Sequence, residues 1–297
     1  MVGNEVAVTE GPPALEGGVV RVGPFVAAGR PFVLEGNVAE VLDRLADRLR
    51  DLRAATAEGT PTVFLIARRG PSWLSHPWGL WRDGEACETT VTDSYLMSYV
   101  LWEVTRLVLE SAHPLIPIHA AAVERDGRAI VLAGESHTGK STLAGWLTAH
   151  GWGFLTDEVA LLERRHGGEA PVVHPFWRPI GVRRGGPLDA LITPPSPDAE
   201  VLIPASELGA LGTAAPLAAI VLPHYDPGAD PGMTPLAPAT AVRLLATHLP
   251  TLGAIGRVVF RAIVSIVESV PAYALGVDDL DAAERAARQL VGDRATS

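Results

Sequence analysis

The chain has 297 residues, is 47% hydrophobic and carries a formal net charge of −10 at pH 7. An acidic chain of this kind is not expected to bind nucleic acid or an anionic membrane surface. It has no run of roughly 18 consecutive apolar residues, as a membrane-spanning helix would need, and no signal-peptide pattern after Met1. The single cysteine, Cys87, cannot form an internal disulfide or a metal cage. We therefore predict a cytoplasmic protein.

Residues 1–112 predict a small α/β domain. Apolar residues at helical spacing predict helices over Asn37–Ala54 and Asp93–Ser111, each with its first residue as N-cap. Pro71–Glu85 contains three tryptophans, which we interpret as packing anchors, and is predicted as a loop or as a strand and turn. Short β-branched and apolar runs predict strands at Val19–Phe25, Pro31–Leu34 and Thr62–Ala67.

Residues 113–297, after a proline-containing boundary, predict a second α/β domain. Asp126-Gly127 lies between two apolar runs and predicts a β-hairpin. A helix is predicted after the glycine-rich segment, ending before Gly151. The Gly- and Pro-rich stretches 167–197 and 223–238 contain no predicted helix or strand. The other predicted elements are strands at Ile118–Glu124, Ala129–Ala133, Trp152–Leu155, Val159–Leu162, Leu217–Leu222 and Ala272–Leu275, and helices at Thr240–His248, Leu252–Ile266 and Leu280–Val291.

The most specific motif of the chain is a P-loop, G-x-x-x-x-G-K-[ST], which is matched in full. Its Lys140 is the only lysine of the chain, and a compact ammonium fits beside the β/γ-phosphates of a nucleotide where a planar guanidinium does not. The loop amides and the N-terminus of the following helix would surround an anion. The alternative is a glycine turn without a ligand. We predict that ATP is bound by Gly134, Glu135, Ser136, His137, Thr138, Gly139, Lys140, Ser141 and Thr142, with Ser141 as a Mg²⁺ ligand.

The hairpin allows His119 to be placed relative to this loop. If Asp126-Gly127 forms a two-residue turn, Arg125 faces Arg128, and counting outward puts His119 opposite Gly134. We therefore predict an imidazole beside the phosphates. The alternative is a structural histidine at the start of a strand.

An acidic pair, Asp157 and Glu158, follows Lys140 after one helix and one strand. A helix of about 11 residues runs roughly 16 Å away from the P-loop, and the next strand brings the chain back. One carboxylate would then hold Mg²⁺, directly or through water, and the other would accept a proton from a hydroxyl nucleophile. The alternative is a surface acidic pair in a turn.

Together these residues resemble the HPr kinase/phosphorylase family, whose core is similar to that of phosphoenolpyruvate carboxykinase. The resemblance rests on His119-Ala-Ala-Ala, the P-loop and the segment His150–Glu158, and it covers residues 117–162 closely. It implies a P-loop kinase domain of this type at residues 113–297. By the same resemblance, Asp157 corresponds to the acid/base aspartate, Glu158 to its acidic neighbour, His119 to the supporting histidine and Ser141 to the Mg²⁺ ligand.

The chain also departs from the family pattern. The second aspartate is replaced by Glu158, and His137 stands where the bifunctional enzymes have glycine. The downstream Glu-x-x-Gly-x-Gly signature is absent, and His174–Arg183 stands there instead. These departures argue against phosphorolysis and against HPr as the substrate. Within that stretch, Arg178 and Arg183 are candidates for stabilising the transferring phosphate.

The predicted function is an ATP-dependent, Mg²⁺-assisted phosphotransferase that acts on a hydroxyl of a protein, peptide or small metabolite. Asp157 is the expected general base, His119 orients it, Lys140 holds the phosphates, and Ser141 with Glu158 holds Mg²⁺. The N-terminal domain would help to select the substrate, and the family resemblance suggests a homo-oligomer. The alternative is a nucleotide-binding regulatory or partner protein with little or no turnover. Carboxykinase chemistry is disfavoured, because the only lysine is already part of the P-loop.

Overall fold

The computed structural model describes residues 11–13, 18–69, 77–135, 138–165, 167, 169–191, 200–225, 232–249 and 257–292. The chain divides into two compact α/β units, Met1–Val108 and Leu109–Ser297. In the described ranges no helix is both long enough and apolar enough to cross a membrane. Three predicted features, Trp73, the P-loop residues Ser136 and His137, and the first part of the helix predicted at Leu252, lie outside the described residues.

The first unit contains one five-stranded sheet in the order β1-β2-β3-β4-β5. Strands β2 and β3 are parallel, and the other neighbours are antiparallel. The rings of Phe25, Phe32 and Phe64 are fully buried and contact one another at centroid distances of 5.2 and 5.7 Å. The elements are β1 (Val20–Ala27), β2 (Arg30–Gly36), α1 (Ala39–Arg48), β3 (Thr62–Arg68), β4 (Trp78–Arg82), β5 (Glu85–Val91) and α2 (Asp93–Glu110).

For this unit the structure corrects one prediction and decides another that the sequence left open. Helix α1 begins at Ala39 without a side-chain cap, because the Asn37 side chain instead accepts a hydrogen bond from the Arg68 amide at 3.2 Å. The region to residue 85, predicted as a loop or as a strand and turn, contains β4, which forms a hairpin with β5, so the second alternative is the one that the structure shows. The turn of that hairpin, Asp83-Gly84, has positive φ at both residues, so the sequence carried the hairpin signal. Trp78 and Trp81 are buried, which confirms them as packing anchors.

The second unit is built on an eight-stranded sheet in the order β10-β9-β6-β7-β13-β15-β14, with β8 also paired to β6. The neighbours β7, β13 and β15 are parallel. A separate two-stranded sheet is formed by β11 and β12. The strands are β6 (Ile116–Arg125), β7 (Arg128–Ala133), β8 (Gly153–Thr156), β9 (Val159–Glu163), β10 (Val172–His174), β11 (Ile180–Arg183), β12 (Glu200–Ile203), β13 (Ala215–Tyr225), β14 (Met233–Pro235) and β15 (Ala272–Val277). The helices are α3 (Lys140–Ala149), α4 (Pro238–Thr247), α5 (Arg257–Ser269) and α6 (Leu280–Val291).

Helices cover both faces of this sheet. Alternate residues of a strand point to opposite faces, so Ala129 and Val131 of β7 pack in a cluster with α4 and α5. Ile130 and Leu132 of the same strand pack in a second cluster with α3 and α6. This burial on both faces explains why β7 is almost continuously apolar.

Several elements of this unit differ from the sequence prediction. Strands β10, β11, β12 and β14 form within the stretches 167–197 and 223–238 or beside them, where none was predicted. They are only three or four residues long, and their pairing depends on partners far away in the sequence, such as Ile180 with Ile203. Helix α5 extends to Ser269, beyond the predicted end at Ile266.

Candidate active site

The hairpin that positions His119 has the predicted register. Asp126 and Gly127 have φ values of 52° and 73°, as a type I′ turn requires. The pairing of β6 with β7 runs from Arg125–Arg128 to Ala120–Ala133. His119 is the next residue outward and lies beside the P-loop, where it lines a cleft together with Gly139 and Lys140.

The acidic pair lies where the pairing of neighbouring strands along β6 is interrupted. Strands β8 and β9 both pair antiparallel with β6, and the two residues between them, Asp157 and Glu158, form a bend. The Ala120 amide donates to the Glu158 carbonyl at 3.1 Å, which fixes this bend beside His119. Such irregularities in a strand edge are frequent next to active sites because they re-aim side chains.

A small network of charged side chains forms at this bend. His119 Nδ1 lies 3.3 Å from Glu158 Oε1, and Arg178 Nη1 lies 3.2 Å from Glu158 Oε2. Arg178 Nε is 3.9 Å from Asp157 Oδ1, and among the described residues neither of these two buried atoms has a hydrogen-bond partner. The guanidinium therefore lies beside both carboxylates.

The two neighbouring carboxylates differ in exposure and in pKa. The Asp157 side chain is 7% exposed and that of Glu158 is 40% exposed. Burial raises the pKa of Asp157 from 3.8 to about 6, although the charge of Arg178 opposes the shift. Burial also acts to raise the pKa of Glu158, but the hydrogen bond from His119 and the charges of Arg178, His119 and Lys140 outweigh it and lower that pKa. Asp157 thus titrates nearer to neutral pH than Glu158 does.

The P-loop surrounds the lysine with its own backbone. Lys140 Nζ donates to the carbonyls of Gly134 and Glu135, both at 2.7 Å, and the Thr138 hydroxyl donates to Glu135 O at 2.9 Å. Burial lowers the pKa of Lys140, while the charges of Glu158 and Asp157 act in the opposite direction.

The start of α3 adds backbone donors to the same place. Gly139 has a φ of 93°, which favours glycine, and immediately precedes the helix. The first helical hydrogen bond runs from Leu143 N to Gly139 O. The amides of the first helical residues have no acceptor within the helix, so they are available to an anion beside Lys140.

These elements enclose a cleft of about 300 Å³. It brings together most of the residues that the sequence predicted. The predicted site residues that line it are His119, Gly139, Lys140, Ser141, Thr142, Asp157 and Glu158. Of the other predicted loop residues, Gly134 and Glu135 contact Lys140, whereas Ser136 and His137 are outside the described residues.

Of one wall of the cleft, only Arg183 was predicted from the sequence. This wall is formed by Gly181 and Arg183 of β11 and by Glu200 and Leu202 of β12. A hydrogen bond between the Gly181 backbone and the Asp157 carboxylate lowers the pKa of Asp157. The alternation in Ile180-Gly-Val-Arg183, with Ile180 and Val182 buried, was the available signal. Arg178 and Arg183, named from the sequence, both line the cleft.

This chain is similar to a family model and to solved structures. The family model described as SynChlorMet cassette protein ScmC matches residues 86–188. The structure of the Hpr(Ser) kinase/phosphatase from Coxiella burnetii is similar over 59% of this chain and 93% of that chain, with 14% sequence identity and a TM-score of 0.33. No curated protein matches the chain. His119, Lys140, Asp157 and Arg178 all lie within the residues matched by the family model.

Proposed function

We propose that this protein is an ATP-dependent kinase that transfers the γ-phosphate to a hydroxyl group of a protein, peptide or small metabolite. The observation that carries the proposal is a single cleft lined by the P-loop lysine, the helix N-terminus and the Asp157–Glu158 pair. A cation and free amides suit phosphates, and a buried carboxylate that lines the same cleft suits proton abstraction.

The residues present fit ATP with Mg²⁺. Mg²⁺ prefers oxygen ligands and is usually held by one or two protein groups together with substrate phosphates. The Ser141 hydroxyl and the Glu158 carboxylate, both on the cleft wall, are such ligands. When bound, the ion would neutralise charge that develops on the phosphate oxygens. Lys140 would exchange its two carbonyl contacts for phosphate oxygens.

Asp157 is the proposed general base. Its pKa of about 6 leaves it ionised at neutral pH, yet basic enough to accept a proton. In the proposed step the acceptor oxygen attacks the γ-phosphorus, the bond to the β-phosphate oxygen breaks, and ADP leaves. The hydroxyl proton passes to Asp157 and then to solvent.

His119 and Arg178 are positioning residues in this proposal. Both contact Glu158, at 3.3 and 3.2 Å, and so hold that carboxylate where it can ligate Mg²⁺. Arg178 also compensates the charge of Asp157. The guanidinium is therefore close enough to the cleft to stabilise charge on the transferring phosphate as well.

Two substitutions test the proposal with purified full-length protein. Lys140→Ala should weaken ATP binding by at least roughly tenfold, because it removes a charged partner of the phosphates. Asp157→Asn should retain ATP binding and reduce phosphate transfer by about 10²–10⁴-fold, because it removes the base. Binding is measured by titration calorimetry with Mg²⁺, and transfer to a panel of hydroxyl-bearing peptides and metabolites is measured with γ-labelled ATP.

An exposed carboxylate of the same unit, Glu169, provides the control, since Glu169→Gln should change neither quantity. Transfer that is undiminished in Asp157→Asn would contradict the assignment of the base. ATP binding by the wild type without any transferred or hydrolysed phosphate would favour the regulatory alternative instead.

A further inference from the structure

A second cavity of about 690 Å³ adjoins the cleft. Gly139, Thr142 and Pro187 line both cavities, so the first turn of α3 lies between them. A volume of this size is typical of small-molecule and cofactor sites. A ligand held at the P-loop can therefore extend into a second, larger space.

The position of this cavity in the sheet is that of a ligand site. Strands β7, β13 and β15 are parallel, and ligands of open α/β sheets bind beyond the carboxyl ends of such strands. The P-loop follows the carboxyl end of β7. Tyr225 ends β13 and Val277 ends β15, and both line the second cavity.

The charges of this cavity define which end of a ligand enters it. Asp278, Asp279 and Asp281 line it and are exposed. Three carboxylates repel phosphate groups, whereas the carboxylates of the cleft are accompanied by the cations Lys140, Arg178 and Arg183, which attract phosphates. An elongated ligand with one anionic end would therefore place its phosphates in the cleft and its uncharged end in the second cavity.

The side chains of the cavity suit a nucleoside. Tyr225, which is 58% exposed, offers an aromatic surface on which a base can stack. Trp146 also lines the cavity, but its ring already stacks on His150. Asp279 already accepts the Asp281 amide at 3.0 Å. Carboxylates only accept hydrogen bonds, so Asp278 and Asp281 favour a base with N–H donors.

We propose that this cavity is a nucleoside subsite. This proposal rests on the proposed function. It takes the base and ribose of the nucleotide whose phosphates lie at Lys140. Tyr225 stacks on the base, and the carboxylates of Asp278 and Asp281 select a base with an exocyclic amino group, such as adenine.

Three ligands separate the two ends of the site in calorimetry with the full chain. Tripolyphosphate probes the cleft alone, ATP probes both ends, and purine riboside triphosphate has the size and charge of ATP but lacks the amino group. The wild type should bind ATP about tenfold or more tightly than tripolyphosphate, and more tightly than purine riboside triphosphate.

Substitutions at Tyr225 and at the two aspartates assign the contacts. Tyr225→Ala should weaken ATP binding about tenfold while tripolyphosphate binding is unchanged, and Tyr225→Phe should restore ATP binding. The double variant Asp278→Ala/Asp281→Ala removes both acceptors and should abolish the preference for ATP over purine riboside triphosphate. These two ligands carry the same phosphate charge, so a general electrostatic effect cancels. Glu169→Gln is the matched control and should leave the preference intact.

Equal binding of ATP and tripolyphosphate by the wild type would overturn the subsite, as would unchanged ATP binding in Tyr225→Ala or an unchanged preference in the double variant. If tripolyphosphate binding is nonetheless lost in Lys140→Ala, the proposed phosphate site stands without the subsite. Wild-type protein that binds neither ATP nor tripolyphosphate would contradict the proposed function, and the subsite with it.

Discussion

At the scale of single residues, two adjacent carboxylates acquire opposite properties from their surroundings. Asp157 is buried and its pKa rises to about 6. Glu158 is more exposed and receives a hydrogen bond from His119, so its pKa falls. Environments that separate the pKa values of neighbouring groups are typical of sites where one group moves a proton and the other stays charged.

These shifts predict opposite pH dependences of stability for two variants. The folded state binds the Asp157 proton more tightly than the unfolded state does, so the stability from this group is present below pH 3.8 and is lost as the pH rises through about 6. Asp157→Asn should therefore gain stability relative to wild type as the pH rises from 4 to 8, by at most about 3 kcal/mol. Urea unfolding across this pH range measures the difference.

For Glu158 the sign is reversed. Its lowered pKa means that the ionised form stabilises the fold, and that contribution is lost as the pH falls through the folded-state pKa. Glu158→Gln should therefore lose stability relative to wild type as the pH rises over the same range. Parallel pH profiles for the two variants would show that the two carboxylates do not differ as described.

At the scale of elements, β6 positions most of the site. It pairs with β7 on one side, which leads to the P-loop, and with β8 and β9 on the other, which flank the acidic pair. His119 belongs to β6 itself. One strand therefore brings three separate sequence segments to the same cleft.

Helix α6 supplies a test of a single element. Asp279 is its N-cap and accepts the Asp281 amide at 3.0 Å. Asp279→Ala should destabilise the protein by about 1 kcal/mol, because an orphan amide of the first turn loses its acceptor. Asp279→Ser keeps a capping oxygen and should retain most of the stability. Urea denaturation compares the variants, and equal losses in both would show that the cap contributes nothing.

At the scale of the whole molecule, the residues of both cavities belong to the second unit. The buried clusters around its sheet are also made of residues from that unit. Among the described residues, the proposed phosphate site is therefore lined by the second unit, and substrate selection by the first unit stays a prediction.

This division predicts the behaviour of a fragment. Residues 109–297 expressed alone should fold, as judged by circular dichroism and a cooperative thermal transition, because the unit has its own core. The fragment should bind ATP within about threefold of the full chain while phosphate transfer to the acceptor is impaired. A folded fragment that does not bind ATP would show that the first unit contributes to the nucleotide site.

The sequence by itself determined the parts of the site that depend on local chemistry. The P-loop pattern is contiguous, and the Asp126-Gly127 turn fixes its hairpin register within a few residues, so Lys140 and His119 could be placed in advance. The strand predicted after the P-loop helix was expected to run back toward the loop, so Asp157 and Glu158 were also expected near it.

Only the tertiary structure decided the features that depend on distant partners. The β11–β12 wall pairs residues far apart in sequence, and the alternation within the four residues of β11 does not identify the partner strand. The contacts of Arg178 with both carboxylates arise from packing. The separation of the two pKa values arises from the burial of Asp157 and from the hydrogen bond that His119 donates to Glu158. Burial and long-range contact are properties of the folded chain, and no local pattern encodes them.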